Sequence, residues 1–500
     1  MPHLLSAVTP HVALAFIGLF LLALTGLGVW HSRRIKEPED FALAGRRLTA
    51  PVLIGTLIAT WIGTGSIFGN AEMAYQHGWI MFVLPLSSAV GIVALAFIAP
   101  RVRAMPSATV PGILGHVFGP PARIIGALAL IGAYLIIVSY QYRAGAAVVE
   151  AIVPDLQNWT DDLASRLFGA EWLANLSEGG RRTLYKIPGV VGFALFVILY
   201  TVLAGMVSVA WTDLVNGILM AGGLLLAFGI VLVKFLESDP APVRLLSQPV
   251  EPIMPIHWIG FLLPPLLLIL GDANLMQRFM SASSPSVARR AAGGMFFGVL
   301  AMDWLIISVV IMGGALLVAE PVNYGHAVIE VAANVVHPAV GILLMATVIA
   351  VVVTTADSYL LGTATSTAAD LTGRLPSPLV QRLIVIVLGL IALGLAFTSD
   401  EFFSVALYAY TLYGATLTPA LLLALLRPRS SPVAAVSGML AGLITALVWK
   451  IVPMPGVLGD VEPVLPALGV NILFTVGLAM ILPKQPLPPK PQNPAPALSE

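Results

Sequence analysis

An all-α protein crossing a membrane many times is predicted by three observations. Of the 500 residues, 58% are hydrophobic and only 10% charged, whereas soluble domains carry about 25% charged residues. Apolar runs long enough to span a bilayer recur about thirteen times. Basic residues gather in alternate connectors between those runs, as the positive-inside rule requires. Mean hydropathy is +0.95. The formal net charge is zero, which argues against a nucleic-acid partner, and the absence of cysteine excludes disulfides, thiol catalysis and thiolate metal sites. The N-terminus lacks the basic start and small-residue cleavage site of a signal peptide, so its first apolar run is read as a retained helix.

Taken in order, the runs centre on 11–30, 48–75, 78–100, 122–152, 188–208, 210–235, 257–276, 291–318, 336–371, 382–398, 402–426, 431–452 and 465–482. Arg33, Arg34, Lys36, Arg46 and Arg47 fill the first connector. Placing that connector in the cytoplasm puts Arg101, Arg103, Arg278, Arg289, Arg290, Arg427 and Arg429 there too. The expected topology has the N-terminus outside and the C-terminus inside, in a plasma (inner) membrane. Of two long outside connectors, 153–187 and 236–256, the first has room for a short interfacial helix around Asp161–Phe168. The Pro-rich tail, 483–500, cannot bury a core and reads as disordered.

Two spans carry interruptions. In the second, Ile58 to Gly69 holds three glycines, two threonines, a serine and a tryptophan. Such a break at membrane depth is tolerated only against protein or a water-filled cavity, although small residues there also serve helix packing. In the seventh, Pro264 and Pro265 precede Gly271-Asp272-Ala273-Asn274, and proline removes a helix hydrogen bond. The broken spans lie five apart, which points to inverted repeats with binding at their interface. The expected units are 1–47, an N-terminal helix and basic loop; 48–236, the first repeat; 237–430, the second; and 431–482, two C-terminal helices.

The ninth span contains Thr354, Thr355, Asp357 and Ser358 within little more than a turn. Sodium is a hard cation that favours hydroxyl, carbonyl and carboxylate oxygens. These hydroxyls, facing carbonyls released at Thr60 and Gly63, would make a weak oxygen cage suited to an ion that must leave again. The ordinary alternative is that they bond back to their own helix or glue helices together. An intramembrane carboxylate costs roughly 2.5–3.5 kcal/mol on insertion scales, so it usually has a partner or a task. Asp213 is read as a helix cap or, if it meets Asp357, as one of a pair needing a shared cation or proton. Arg143 is read mainly as a structural partner of Glu150 or Glu72, with contact to an anionic solute as the alternative. Asp303 is treated likewise. There is no Gly-Lys-Ser/Thr phosphate loop, no His-Glu-x-x-His and no Gly-x-Ser-x-Gly, so no enzymatic activity is expected.

From about Gly45 to Leu426 the chain resembles the sodium:solute symporters. The likeness is carried by Ala59-Thr-Trp-Ile-Gly-Thr-Gly with Asn70-Ala-Glu-Met-Ala-Tyr, by Tyr200-Thr, Gly205 and Trp211-Thr-Asp213, by Gln277-Arg278-Phe-Met-Ser, by Thr354-Thr-Ala-Asp-Ser, and by Tyr413-Gly-Ala-Thr-Leu-Thr-Pro419. The resemblance implies a LeuT-type fold, with two inverted five-helix repeats preceded by one helix and followed by two. It implies a sodium site of Thr60, Gly63 and Val351 carbonyls with Thr354 and Thr355 hydroxyls; the family often has Ala where Val351 stands. A second sodium in some members uses the places of Asp213, Asp357 and Ser358. Around Trp61 the sequence is most similar to the choline-transporting branch, where a tryptophan helps cage a quaternary ammonium, but the seventh span lacks that branch's tryptophan. The candidate solute-binding set is Trp61, Thr64, Phe68, Tyr134, Tyr140, Gln141, Trp258 and Asp272.

The expected activity is sodium-coupled import of a small organic solute by alternating access, with the bilayer as the protein's surroundings and a monomer or weak oligomer as its state. A proton-coupled symporter, and a sensor or channel of symporter fold, are the alternatives. The short tail argues against a sensor with its own kinase module.

Overall fold

In the computed structural model, residues 38–486 are described except for 154–155, 204–205, 239–254, 318–323, 374–375, 399–402 and four positions between 453 and 460, together with some residues between 15 and 30. The first predicted span therefore lies partly outside the described residues, and so does the tail from 487.

Apolar stretches bounded by proline at their starts and by glycine or polar residues at their ends become helices. Proline in the first turn gives up an amide that would be unbonded anyway. The helices are α1 Ala50–Trp61, α2 Asn70–His77, α3 Leu84–Ala104, α4 Val110–Phe118, α5 Pro120–Ile152, α6 Leu156–Phe168, α7 Glu178–Leu203 and α8 Met206–Glu237. They continue as α9 Pro255–Gly271, α10 Ala273–Ser281, α11 Pro285–Ala315, α12 Ala327–Asn334, α13 Pro338–Thr372, α14 Pro378–Leu395, α15 Phe403–Leu426, α16 Pro432–Ile451 and α17 Val464–Ile481. Eleven helices among the described residues are long and apolar enough to cross a membrane, and α1 is a shorter apolar helix. The protein is an all-α multi-pass membrane protein. The short helix expected near Asp161–Phe168 is α6.

Burial ranks the helices. In α13 83% of the apolar window is buried, against 22% in α17 and 28% in α14. α13 is an interior helix, packed against α5, α8 and α14, and it buries its Thr, Ser and Asp side chains there and not against lipid. On the other side α11 lies against α3 and α1, and α9 against α15 and α3. The α16–α17 pair leans on α15 at the periphery.

Both predicted interruptions are present, but the second is displaced from its prolines. α9 runs on through Pro264 and Pro265 to Gly271, and the helix breaks at Asp272, whose φ/ψ of −52°/119° is not helical. Here Asp272, whose side chain accepts from the freed Leu275 N–H, decides the break. A second backbone tie closes one end of the bundle. Leu48 N–H donates to Ser281 O (3.0 Å) and Ser283 N–H to Leu48 O (3.0 Å), while Arg103 Nε donates to Ala282 O. Arg46 Nη2 donates to Ser107 O at 3.1 Å.

Candidate functional site

At the first break, Ile62 N–H still reaches back to Ile58 O (2.9 Å). Ile62 itself is extended, with φ −73° and ψ 91°. The chain re-enters helix through a π turn, Gly65–Gly69, with Gly63 O accepting from Ser66 N–H (3.1 Å) and Ile67 N–H (3.0 Å). A π turn inserted in a helix is a frequent mark of a functional position. Thr60 turns its hydroxyl back to Thr56 O (2.6 Å).

α13 lies against this break so closely that a Cβ at Gly63 would sit 2.9 Å from both Oγ1 and Cγ2 of Thr355. Glycine is required here by the neighbour, since its own φ/ψ is not at issue. Thr355 is buried, and its hydroxyl has no hydrogen-bond partner among the described residues. Leaving a buried polar group unpaired costs about 1–3 kcal/mol. Thr354 Oγ1 donates to Val351 O (3.1 Å), leaving the hydroxyl oxygen's lone pairs as acceptors. The break thus sets an unbonded hydroxyl, a second hydroxyl and an interrupted row of carbonyls together. These are oxygen donors of the kind a hard monovalent cation takes.

Asp213, Asp357 and Ser358 meet below the break, but through an arginine. Arg278 Nη2 donates to Asp213 Oδ2 (2.9 Å) and to Ser358 Oγ (2.7 Å), and its Nε donates to Thr56 Oγ1 (2.8 Å). Thr56 Oγ1 donates in turn to Asp213 Oδ2 (2.5 Å), and Ser358 Oγ to Asp357 Oδ1 (3.2 Å). Both side chains of the ion pair are 0% exposed. Asp213 Oδ1 and Asp357 Oδ2 are buried without partners among the described residues. Sequence reasoning took Arg278 as part of a motif and of a basic cytoplasmic connector. It is instead fully buried in the bundle, and its partners could not be read because they lie 65, 80 and 222 residues away.

The second break is sealed by protein groups. Asp272 Oδ1 accepts from Leu275 N–H (2.8 Å), capping α10, and Asn274 N–H donates to Tyr134 OH (3.2 Å). Gly271 O, freed by the break, accepts from Tyr413 OH (2.8 Å). Asp272 Oδ2 accepts from Tyr134 OH (3.0 Å) and Tyr359 OH (3.2 Å). So Asp272 and Tyr134, expected to touch solute, serve here to hold the broken helix.

Between the first break and α3, α9, α11 and α15 lies an open cavity with Trp61, Ser66, Asn70, Phe261, Asp303 and Tyr410 among its walls. Of the candidate solute residues, Trp61 lines it. Thr64 and Gln141 hydrogen-bond each other behind it, and Tyr140 OH lies 3.4 Å from Tyr410 OH. Phe68 packs edge-on to His326, and Trp258 edge-on to Phe261. Asp303 accepts from Asn70 Nδ2 at 3.4 Å. Its role was invisible in sequence because Asn70 and Asp303 are 233 residues apart. Arg143 lines a separate cavity with Lys186 and Thr183.

The model of the "Sodium:solute symporter family" matches residues 162–442, which is more than half of the chain. The chain belongs to that family. The symporter is 24% identical to the high-affinity proline transporter PutP of Bacillus subtilis (strain 168) over 496 residues, covering 90% of this chain and 94% of that protein. It is 25% identical over 318 residues to high-affinity choline transporter 1 of Drosophila melanogaster, covering 61% and 43% of the two chains. In fold it is similar to a solved Na+-coupled sialic acid symporter in a substrate-bound outward-open state, with a TM-score of 0.75, 19% identity, and 95% and 99% of the chains covered. These findings make it a sodium-coupled symporter of the LeuT-type fold.

Proposed function

We propose that this symporter imports a small organic solute by binding sodium between the first break and α13. The ion would take carbonyls of Thr60, Gly63 and Val351 and hydroxyls of Thr354 and Thr355. The observation that carries this reading is the buried Thr355 hydroxyl, unbonded and pressed against Gly63. A bound cation offsets its desolvation and ties α1 to α13, whereas at the other break Asp272, Tyr134 and Tyr413 already bond the freed backbone groups.

A second sodium at Asp213, Asp357 and Ser358 is supported by charge balance. Two buried carboxylates face one guanidinium, and Asp213 Oδ1 and Asp357 Oδ2 are the acceptors left over. The repeats would run over 48–236 and 237–430. With the basic first connector inside, the Leu48–Ser281–Arg103 ties close the cytoplasmic end, and the cavity lies on the outer side of the breaks. Rocking of one bundle against the other would then expose the solute inward. Sodium and solute must raise each other's affinity by the same factor for the coupling to work. Relatives named for proline and for choline support a small nitrogen-containing solute.

The test is solute accumulation in proteoliposomes under an inward sodium gradient, with screened solutes. Accumulation is expected in the wild type and is expected to vanish in the Thr354→Ala, Thr355→Ala double variant although that protein inserts normally. Undiminished sodium dependence in the double variant removes this site.

A further inference from the structure

The geometry points to a transported solute that carries an ammonium group, with Asp303 of α11 as its counter-charge. This rests on the reading of the central cavity as the solute site.

Among the described residues, the cavity's walls carry a single carboxylate, Asp303, and no Lys, Arg or His. Asp303 is 2% exposed. Its polar neighbours are the Asn70 amide at 3.4 Å and the Ser66 hydroxyl, both neutral. An ionised carboxylate at this depth needs a cation, or more than one long amide bond, to offset its lost hydration.

The surroundings add to the same sign. Tyr359, on the cavity wall, donates its hydroxyl to Asp272 Oδ2, so a second carboxylate stands one ring behind the wall. The nearby guanidinium, Arg278, is spent on Asp213, Ser358, Thr56 and the Asn274 carbonyl. The bases Arg143 and Lys186 line a different cavity. An anionic solute here would meet carboxylates with no basic partner, a like-charge arrangement that disfavours binding.

The apolar walls suit the same guest. Trp61, Phe261, Tyr359 and Tyr410 border the cavity, and ring faces attract ammonium groups. Quaternary amines and amino acids share the ammonium. An amino acid would add a carboxylate that the Ser88 hydroxyl and the second N–H of the Asn70 amide can receive.

Purified full-length symporter is screened for ligand-induced thermal stabilisation, in NaCl and again in KCl. The probes are choline, proline and putrescine against lactate, iodide and galactose. An ammonium probe is expected to stabilise, with choline and proline deciding between quaternary amine and amino acid. Asp303→Asn is expected to weaken that binding by about 30-fold or more, the usual loss when one partner of a buried charge pair is truncated. Asp303→Glu, which keeps the charge, is expected to retain a measurable part, and stands in if Asp303→Asn does not accumulate. Stabilisation by lactate, iodide or galactose but by no ammonium probe overturns the inference. So does unchanged ammonium binding in Asp303→Asn. Ammonium binding of equal strength in NaCl and KCl supports the inference while refuting the sodium site.

Discussion

Thr355→Val separates an ion ligand from a packing hydroxyl by the sign of its effect on stability. Valine matches threonine in shape and removes only the hydroxyl, which is buried and unbonded and would lie 2.9 Å from a Cβ at Gly63. If that oxygen serves sodium, its loss relieves about 1–3 kcal/mol of unpaired desolvation in the sodium-free protein. That protein should therefore be as stable as wild type or more so. In sodium the order reverses. An interaction with a charged group contributes about 1.5–3 kcal/mol, so the apparent sodium affinity should fall roughly 10- to 100-fold. The assay is thermal unfolding of the detergent-solubilised protein over a NaCl titration, with KCl holding ionic strength. Potassium is chosen over an organic cation, which could enter the Asp303 cavity. A valine variant destabilised without sodium, yet with wild-type sodium dependence, would refute the reasoning and return Thr355 to helix packing.

Three further outcomes follow from the same geometry. Gly63→Ala should abolish sodium-stimulated uptake, because its Cβ must displace the Thr355 side chain 2.9 Å away; normal uptake would show that the break and α13 are looser than described. Asp213→Asn removes the carboxylate bonded to Arg278 but leaves Asp357 facing the same guanidinium. It should therefore destabilise by less than the roughly 3–5 kcal/mol of a fully uncompensated buried charge, whereas Asp213→Asn with Asp357→Asn should reach that range in chemical unfolding. Arg103→Ala removes the tie to Ala282 O and should shift the population inward. That shift would be read as greater labelling of a cysteine introduced at Ser281, which is buried here, at least severalfold over the same cysteine with Arg103 intact.

Much of the fold was legible because bilayer physics is simple. Long apolar runs have one structure open to them, and the long helices from α3 to α17 fall where those runs lie, while the short α4, α6 and α12 lie between them. The first break was legible too, since Gly63, Thr64 and Gly65 weaken a helix wherever they stand. The second break falls within the Gly271-Asp272-Ala273-Asn274 stretch that the sequence offered and not at Pro264 and Pro265, because neighbouring groups in a bundle compensate a proline, whereas Asp272 gives the backbone a new partner. What sequence could not display was contact across spans. Tyr134 was expected to face solute and instead caps a helix 138 residues on through Asp272. Asp303 was weighed mainly as structural, with solute contact as the alternative, and it lines the cavity. Both outcomes depend on which faces of α5, α10 and α11 turn together, and helical spacing within one span carries no information about that.

Equilibrium binding of radiolabelled sodium to the purified protein puts the most direct question to the ion site. Saturable uptake of label is predicted for the wild type, displaced by unlabelled sodium and not by potassium, and losing a full site when Thr354 and Thr355 both become alanine. Label that binds with the same stoichiometry and affinity to that double variant would contradict the account.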